Sequence, residues 1–178
     1  MSGCVARVDF LGTGNAFCPS GRMHALAILD EKILIDAPPT LLAQLRRSNI
    51  STGQVEHILF THWHGDHAFG FPFLILDRKY ITDTSAGKIL AVHHRPGGRE
   101  YLASLSKLGF PGSLEDFLES RIFWNEEESG ILEGTEWFYE RFPVRHTPET
   151  DPHGYEFVHQ SGFRLLHCGD SGPCSEIE

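Results

Sequence analysis

The sequence predicts an α/β sandwich whose strand-end loops carry the chemistry. Three observations lead there. Short apolar runs bounded by Gly, Pro and Asp alternate with helical patterns along the whole chain. Chemistry-bearing residues recur where apolar runs stop: Thr61-His62-Trp63-His64-Gly65-Asp66-His67 after Ile58-Leu59-Phe60, His146 after Phe142-Pro143-Val144, and Asp170 after Leu165-Leu166. Finally, 178 residues with 40% hydrophobic content suit one domain with a sizeable core.

Taken in order, Val5–Leu11 alternates and ends at Gly12-Thr13-Gly14-Asn15, a strand followed by a tight turn. A dinucleotide-binding fingerprint fails there, because the third glycine position is Phe17. The turn either sits beside the first strand or floors a metal cleft. Residues 25–29 and 32–36 predict a hairpin turning at Asp30-Glu31. Pro38-Pro39 then opens a short helix over 40–47, with Leu41, Leu42 and Leu45 on one face. Asp36 at the strand end reads equally as a cap for that helix or as a partner for a metal-bound histidine.

Residues 55–60 form the strand that delivers the histidine cluster, and 68–77 predict one apolar helix containing a proline. Lys88–Val92 is a buried strand ending at His93-His94-Arg95-Pro96, and a helix starts near Arg99. From Glu115 to Glu140 nine acidic residues face one arginine, the pattern of a solvated face, with Trp124, Trp137, Phe138 and Tyr139 packing on the core. Residues 142–147 predict a strand ending in His146, and Phe163–Cys168 a strand running into Gly169-Asp170.

A net charge of −9 disfavours broad, sequence-blind binding of nucleic acid, which depends on Lys and Arg contacts to phosphate. It leaves room for a nucleotide or RNA substrate drawn by bound metal. No apolar run approaches the roughly 18 residues of a membrane helix, and the first residues show no signal peptide. Cys4, Cys18, Cys168 and Cys174 form no CxxC pair, so reduced thiols in a cytoplasm are expected.

Three imidazoles and a carboxylate within six residues are costly to bury unpaired, and they are the donors a borderline-soft divalent ion prefers. At this point the chain resembles a family. His62-Trp63-His64-Gly65-Asp66-His67 is similar to the HxHxDH signature of the metallo-β-lactamase fold superfamily. Phe10–Gly14, Leu34-Ile35-Asp36, His146 before Gly154-Tyr155, and Cys168–Ser171 follow the order of its ribonuclease Z-like branch.

The resemblance implies an αββα sandwich and two zinc sites, with Mn²⁺ or Fe as other metals. His62, His64 and His146 would hold the first ion, Asp66 and His67 the second, and Asp170 would bridge. Two ions roughly 3.5–4 Å apart serve phosphoryl and acyl transfer alike. The implied activity is hydrolysis of a phosphodiester, with Asp66 catalytic and with His94 and His153 as candidate substrate contacts. Carboxyl-ester, thioester or lactam hydrolysis, a non-catalytic metal-binding module, and a di-iron oxidoreductase are the competing readings. The last usually carries a carboxylate where His64 stands. The expected partner is a small-molecule or nucleic-acid phosphodiester, with a homodimer as a possible assembly. The family's further His and leaving-group motif lie downstream of the Asp170 equivalent. Residues 1–178 are therefore expected to form a single domain lacking its C-terminal strands and helices.

Overall fold

A computed structural model describes residues 5–83, 87–175 and 177. Cys4, and with it the opening residues read for a signal peptide, lies outside them. Two sheets stack face to face. The first has six strands in sequence order: β1 (Val8–Gly12), β2 (Leu26–Leu29), β3 (Ile33–Ile35), β4 (His57–Leu59), β5 (Leu90–His93) and β6 (Ile122–Asn125). The β1–β2 and β2–β3 pairs are antiparallel and the rest parallel. The β2–β3 turn places Asp30 and Glu31 at φ 47° and 59°, the left-handed pair that a tight hairpin requires.

The second sheet is an antiparallel meander of β7 (Ser129–Ile131), β8 (Trp137–Pro143), β9 (His153–His159) and β10 (Arg164–His167). Side chains of the first sheet alternate between two cores. Ile28, Leu34, Ile58 and Val92 meet the helices α1 (Leu41–Arg47), α2 (Gly65–Ala68), α3 (Phe71–Asp77), α4 (Gly98–Gly109) and α5 (Glu115–Ser120). Leu29, Ile33, Ile35 and Leu59 meet Trp137, Tyr139, Tyr155 and Phe157 of the second sheet. Each such side chain contributes about 1.5–3 kcal/mol on burial.

The layers are therefore helix, sheet, sheet. No helix covers the outer face of the second sheet among the described residues, where Ile131, Phe138 and Leu166 lie open. The predicted helix over 68–77 is two pieces: Gly70 interrupts it, and Pro72 sits in the first turn of α3, where a missing N–H costs nothing. Trp137 and Tyr139 are core, but Phe138 points outward, as strand alternation demands.

A hydrogen-bond chain ties the sheets together. The His57 Nε2–H donates to the Glu133 carbonyl, which leaves its Nδ1 to accept from His93 Nε2–H at 3.0 Å. His93 Nδ1 then accepts from the Asn125 amide, and the Tyr139 hydroxyl donates to the Glu127 carbonyl. Every donor points one way, so both imidazoles are neutral. Burial holds His93 down at about 3.

Candidate metal centre

The parallel strands β3 and β4 end side by side, Ile35 opposite Leu59, and the residues just beyond them build the site. Asp36 leaves β3 at φ 68°, a conformation costing about 1 kcal/mol that Asp tolerates better than most residues. Its buried carboxylate accepts from the Thr61 N–H, the Thr61 hydroxyl and His67 Nδ1–H, each at 2.7 Å. Asp36 is thus a partner of a cluster histidine and not a helix cap; α1 starts with no side-chain cap at Thr40. Burial alone would raise the Asp36 carboxyl, but the charge and hydrogen bond of His67, with the Thr61 N–H, hold it below its ordinary range.

These bonds set the tautomers. The Thr61 hydroxyl donates to Asp36, so its oxygen accepts from His62 Nδ1–H, and the His62 Nε2 lone pair faces the centre. Burial first, then the charge of His67, holds His62 down at about 4, a neutral ligand-ready imidazole. His64 Nδ1 lies 3.2 Å from His62 Nε2 and 3.1 Å from His146 Nε2. The donor atoms of His62, His64 and His146 all fall within 4.8 Å of one another.

His62, His67 and Asp170 form a second such group, so His62 belongs to both. With its Nδ1–H given to Asp36, His67 turns Nε2 toward Asp66 at 3.6 Å and Asp170 at 3.5 Å. Burial pulls His67 down, yet Asp36 and Asp170 overrule it and raise it to about 10. The hydrogen bond to His67 holds Asp170 at about 2, against the effect of its burial. A positive charge therefore belongs between these groups. A proton on His67 supplies it, and a divalent cation in that position fits the same donors.

His146 does not end a strand. β8 stops at Pro143, and His146 is held instead by a bridge in which the Gly172 N–H donates to the Arg145 carbonyl at 2.7 Å. That bridge links the His146 and Asp170 segments. At Gly169, φ 56°, a Cβ would approach the Thr61 side chain to 3.0 Å, so this close turn needs glycine. A cleft of about 460 Å³ opens beside His146, lined by Val144, Arg145, Pro148, Pro152 and Cys174. A cavity of about 410 Å³ over Val55, His57, Ile89 and Phe123 is touched by none of the donors.

Neither of the two further histidines lies among the donors, and neither opens to solvent. His153 is 2% exposed; its Nδ1–H donates to the Asp151 carbonyl and its Nε2 faces the Tyr155 hydroxyl. His94 is 1% exposed, donates Nδ1–H to the Arg95 carbonyl and packs edge-on against Trp124. Both rings are buried, so the expected substrate contacts at His94 and His153 find no open face in this structure. Trp63 packs on Phe60 and Tyr101. The Gly12–Gly14 turn lies against His24, Met23 and Gln44, beside the first strand.

One residue the sequence reading missed is His167. It is on the inner face of β10, feels the charges of Asp36, His67 and Asp170, and accepts the Gly169 N–H that precedes Asp170. Its only sequence signal is its alternation with Leu165 three residues before Asp170.

A family model described as anti-Pycsar protein Apyc1 matches residues 6–161. The chain belongs to that family. It is 33% identical over 169 residues to a ribonuclease Z of Listeria monocytogenes, covering 92% of this chain and 50% of the relative. The chain spans about half the length, or less, of the curated relatives it matches. Among solved structures, the short form of human tRNase Z superposes with a TM-score of 0.71 at 23% identity, covering 97% of this chain and 72% of that one. The metallo-β-lactamase fold protein YhfI of Bacillus subtilis gives 0.70 at 11% identity, covering 97% and 66%. Below 25% identity these likenesses establish the fold alone, and the fold is that of the metallo-β-lactamases, ribonuclease Z-like in its relatives.

Proposed function

We propose that this chain is the metal-binding part of a metal-dependent phosphodiesterase acting on an RNA or nucleotide-like phosphodiester. The observation that carries the reading is the sharing of His62 between two donor groups, which brings the candidate ligands of two ions into one centre. The relatives named ribonuclease Z support the substrate class. In this reading His62, His64 and His146 hold one ion, Asp66 and His67 the other, and Asp170 spans them. Imidazole and carboxylate donors suit zinc, and Mn²⁺ is a workable substitute.

When bound, such a pair supplies Lewis acidity that brings the pKa of water toward neutrality and offsets charge on phosphoryl oxygens. The chain's own residues do the rest. Asp36 fixes the tautomer of His67, and Thr61 fixes that of His62. The Asp66 carboxylate, mostly buried beside His67, takes the proton of the attacking water. The cleft beside His146 gives a phosphodiester room to lie with one arm against Val144 and Pro148.

The test is turnover of bis(p-nitrophenyl) phosphate by the longest reading frame that contains this chain. Expected are a rate that rises as up to two equivalents of Zn²⁺ or Mn²⁺ are added, and its loss with a chelator or in His64→Ala. Two bound equivalents without turnover of this ester or of an RNA dinucleotide would overturn the reading.

A further inference from the structure

Between α4 and α5 lies a cavity of about 260 Å³ that the metal centre does not use. Its floor is the Trp124 ring and one wall is Leu118. Arg99, Ala103 and Lys107 recur at i, i+4 and i+8 along α4, so they share one face, and the small Ala103 between two long cations makes the hollow. Ser104 adds a hydroxyl. Neither Arg99 nor Lys107 makes an ion pair among the described residues, unlike Arg7, Lys32, Arg46, Lys79, Arg95 and Arg164. Two cations outside any such ion pair thus flank an aromatic floor, with Glu115 and Glu119 in the same lining.

Glu115 of α5 lines the cavity too and feels the charge of Lys107, but its carboxylate is tied by the backbone N–H groups of Gly112 and Leu114 at 3.0 Å each and forms no ion pair with either cation. Glu119 also lines the cavity, where it can accept from an amine or a sugar hydroxyl. The Arg99 guanidinium lies 6.0 Å from the centroid of the Trp124 ring. A planar ring between them needs about 3.5 Å on each face, so the exposed Arg99 has to open by about 1 Å. The volume falls just below that of clefts for drug-sized ligands, which limits the occupant to one ring system with an anionic substituent.

We propose that this cavity is an accessory nucleotide site: the base stacks between Trp124 and Arg99, the phosphate meets Arg99 and Lys107, and Glu119 accepts from the base or sugar. The choice of a nucleotide rests on the phosphodiester reading; the aromatic-and-cation chemistry of the cavity does not. The site has a structural link to the metal loop. Trp124 packs on His94, with ring centroids 5.6 Å apart. Behind His94 stands Gly98, where a Cβ would lie 2.7 Å from the Trp63 ring, and Trp63 sits between His62 and His64.

Calorimetric titration of the protein as isolated with adenosine 5′-monophosphate tests the site without needing turnover, so its failure is distinct from failure of the hydrolase reading. Ala103→Leu, which fills the hollow, and the Arg99→Ala/Lys107→Ala pair should each weaken binding at least about tenfold, while His64→Ala leaves it unchanged. Adenosine and inorganic phosphate alone should each bind at least about tenfold more weakly than the nucleotide. A single-stranded tetranucleotide that binds more tightly than the monophosphate, and is lost in Ala103→Leu, makes the source a substrate strand; equal affinities make it a free nucleotide. The proposal is overturned by no binding up to millimolar nucleotide, by unchanged binding in both cavity variants, or by tighter binding of L-tryptophan.

Discussion

Replacing Asp36 with Asn removes one charge and changes no volume, and its effect follows from three hydrogen bonds. Asn keeps a carbonyl for the Thr61 N–H, and it tolerates the φ of 68°, so the backbone is undisturbed. Its amide nitrogen, however, replaces the oxygen that accepts both the Thr61 hydroxyl and His67 Nδ1–H at 2.7 Å. The hydroxyl can rotate; the imidazole cannot. His67, which carries both ring protons in the stripped protein, has to give up the one on Nδ1 and keep the one on Nε2, the nitrogen that faces Asp66 and Asp170. The lost charge-assisted bond is worth about 1.5–3 kcal/mol, partly offset by no longer burying a carboxylate. A net loss of about 1–2 kcal/mol in the metal-stripped protein is expected. The larger consequence is at the second ion, where loss of the orienting partner should weaken affinity about 10–100-fold. Urea unfolding of the stripped protein reads the first quantity, and chelator-dye competition with zinc reads the second. An Asp36→Asn protein that takes up both equivalents with wild-type affinity would refute the assignment of Asp36 as the residue that fixes His67.

Other outcomes follow from the same geometry. His64→Ala or Asp66→Ala should lower phosphodiester turnover at least about a hundredfold. Each should leave the melting temperature of the stripped protein within about 2 °C, because His64 stands at the N-cap and Asp66 in the first turn of the one-turn helix α2, outside both cores. Zinc at a hundred times its dissociation constant should stabilise the protein by about 2.7 kcal/mol and raise its melting temperature by about 5–10 °C; no shift would mean that the folded chain does not hold the ion. The His57–His93 chain makes the fold acid-sensitive. Both imidazoles have folded-state values below their unfolded ones, His93 at about 3, so their contribution is complete above about pH 6.5 and is lost as pH falls toward 3. Between pH 6.5 and 5, His93 alone should cost up to about 2 kcal/mol, and His93→Gln should reduce the slope of urea stability against pH by about one proton over that range.

The parts of the centre that were legible in the sequence are those adjacent in the chain. His62, His64, Asp66 and His67 are contiguous, and the apolar run before them announces the strand that delivers them. The hairpin at Asp30-Glu31 was legible because two polar residues between apolar runs admit few turns. Asp36 was ambiguous because a strand-end carboxylate before a Pro-Pro opening serves a cap or a histidine equally well, and only the position of His67 one helical step away decides. His94 and His153 were ambiguous for a related reason. A histidine near a strand end signals the loop side of the sheet but not which way the ring turns, and both rings turn inward to neighbouring carbonyls. His167 carried too little signal, since a lone histidine at an inward strand position looks like any satisfied core residue.

The histidine motif cannot make the centre by itself. Its four donors come from the helix-backed sheet, whereas His146 and Asp170 come from the segments beyond β8 and β10 of the other. They reach the motif only because the sheets pack through Leu59, Tyr139, Tyr155 and Phe157, and because Arg145 and Gly172 tie the two far segments together. Three contacts register that packing against the motif itself. The Tyr155 hydroxyl donates to the Phe60 carbonyl at 2.8 Å, the His153 N–H donates to the Thr61 carbonyl at 3.0 Å, and the Trp63 N–H donates to the Thr150 carbonyl at 3.2 Å. Residues 60, 61 and 63 thus receive or make bonds to β9 and to the turn before it, on either side of His62. Docking of the sheets and alignment of the candidate ligands are one event. Loosening the inter-sheet core should therefore weaken metal uptake even where no ligand is touched.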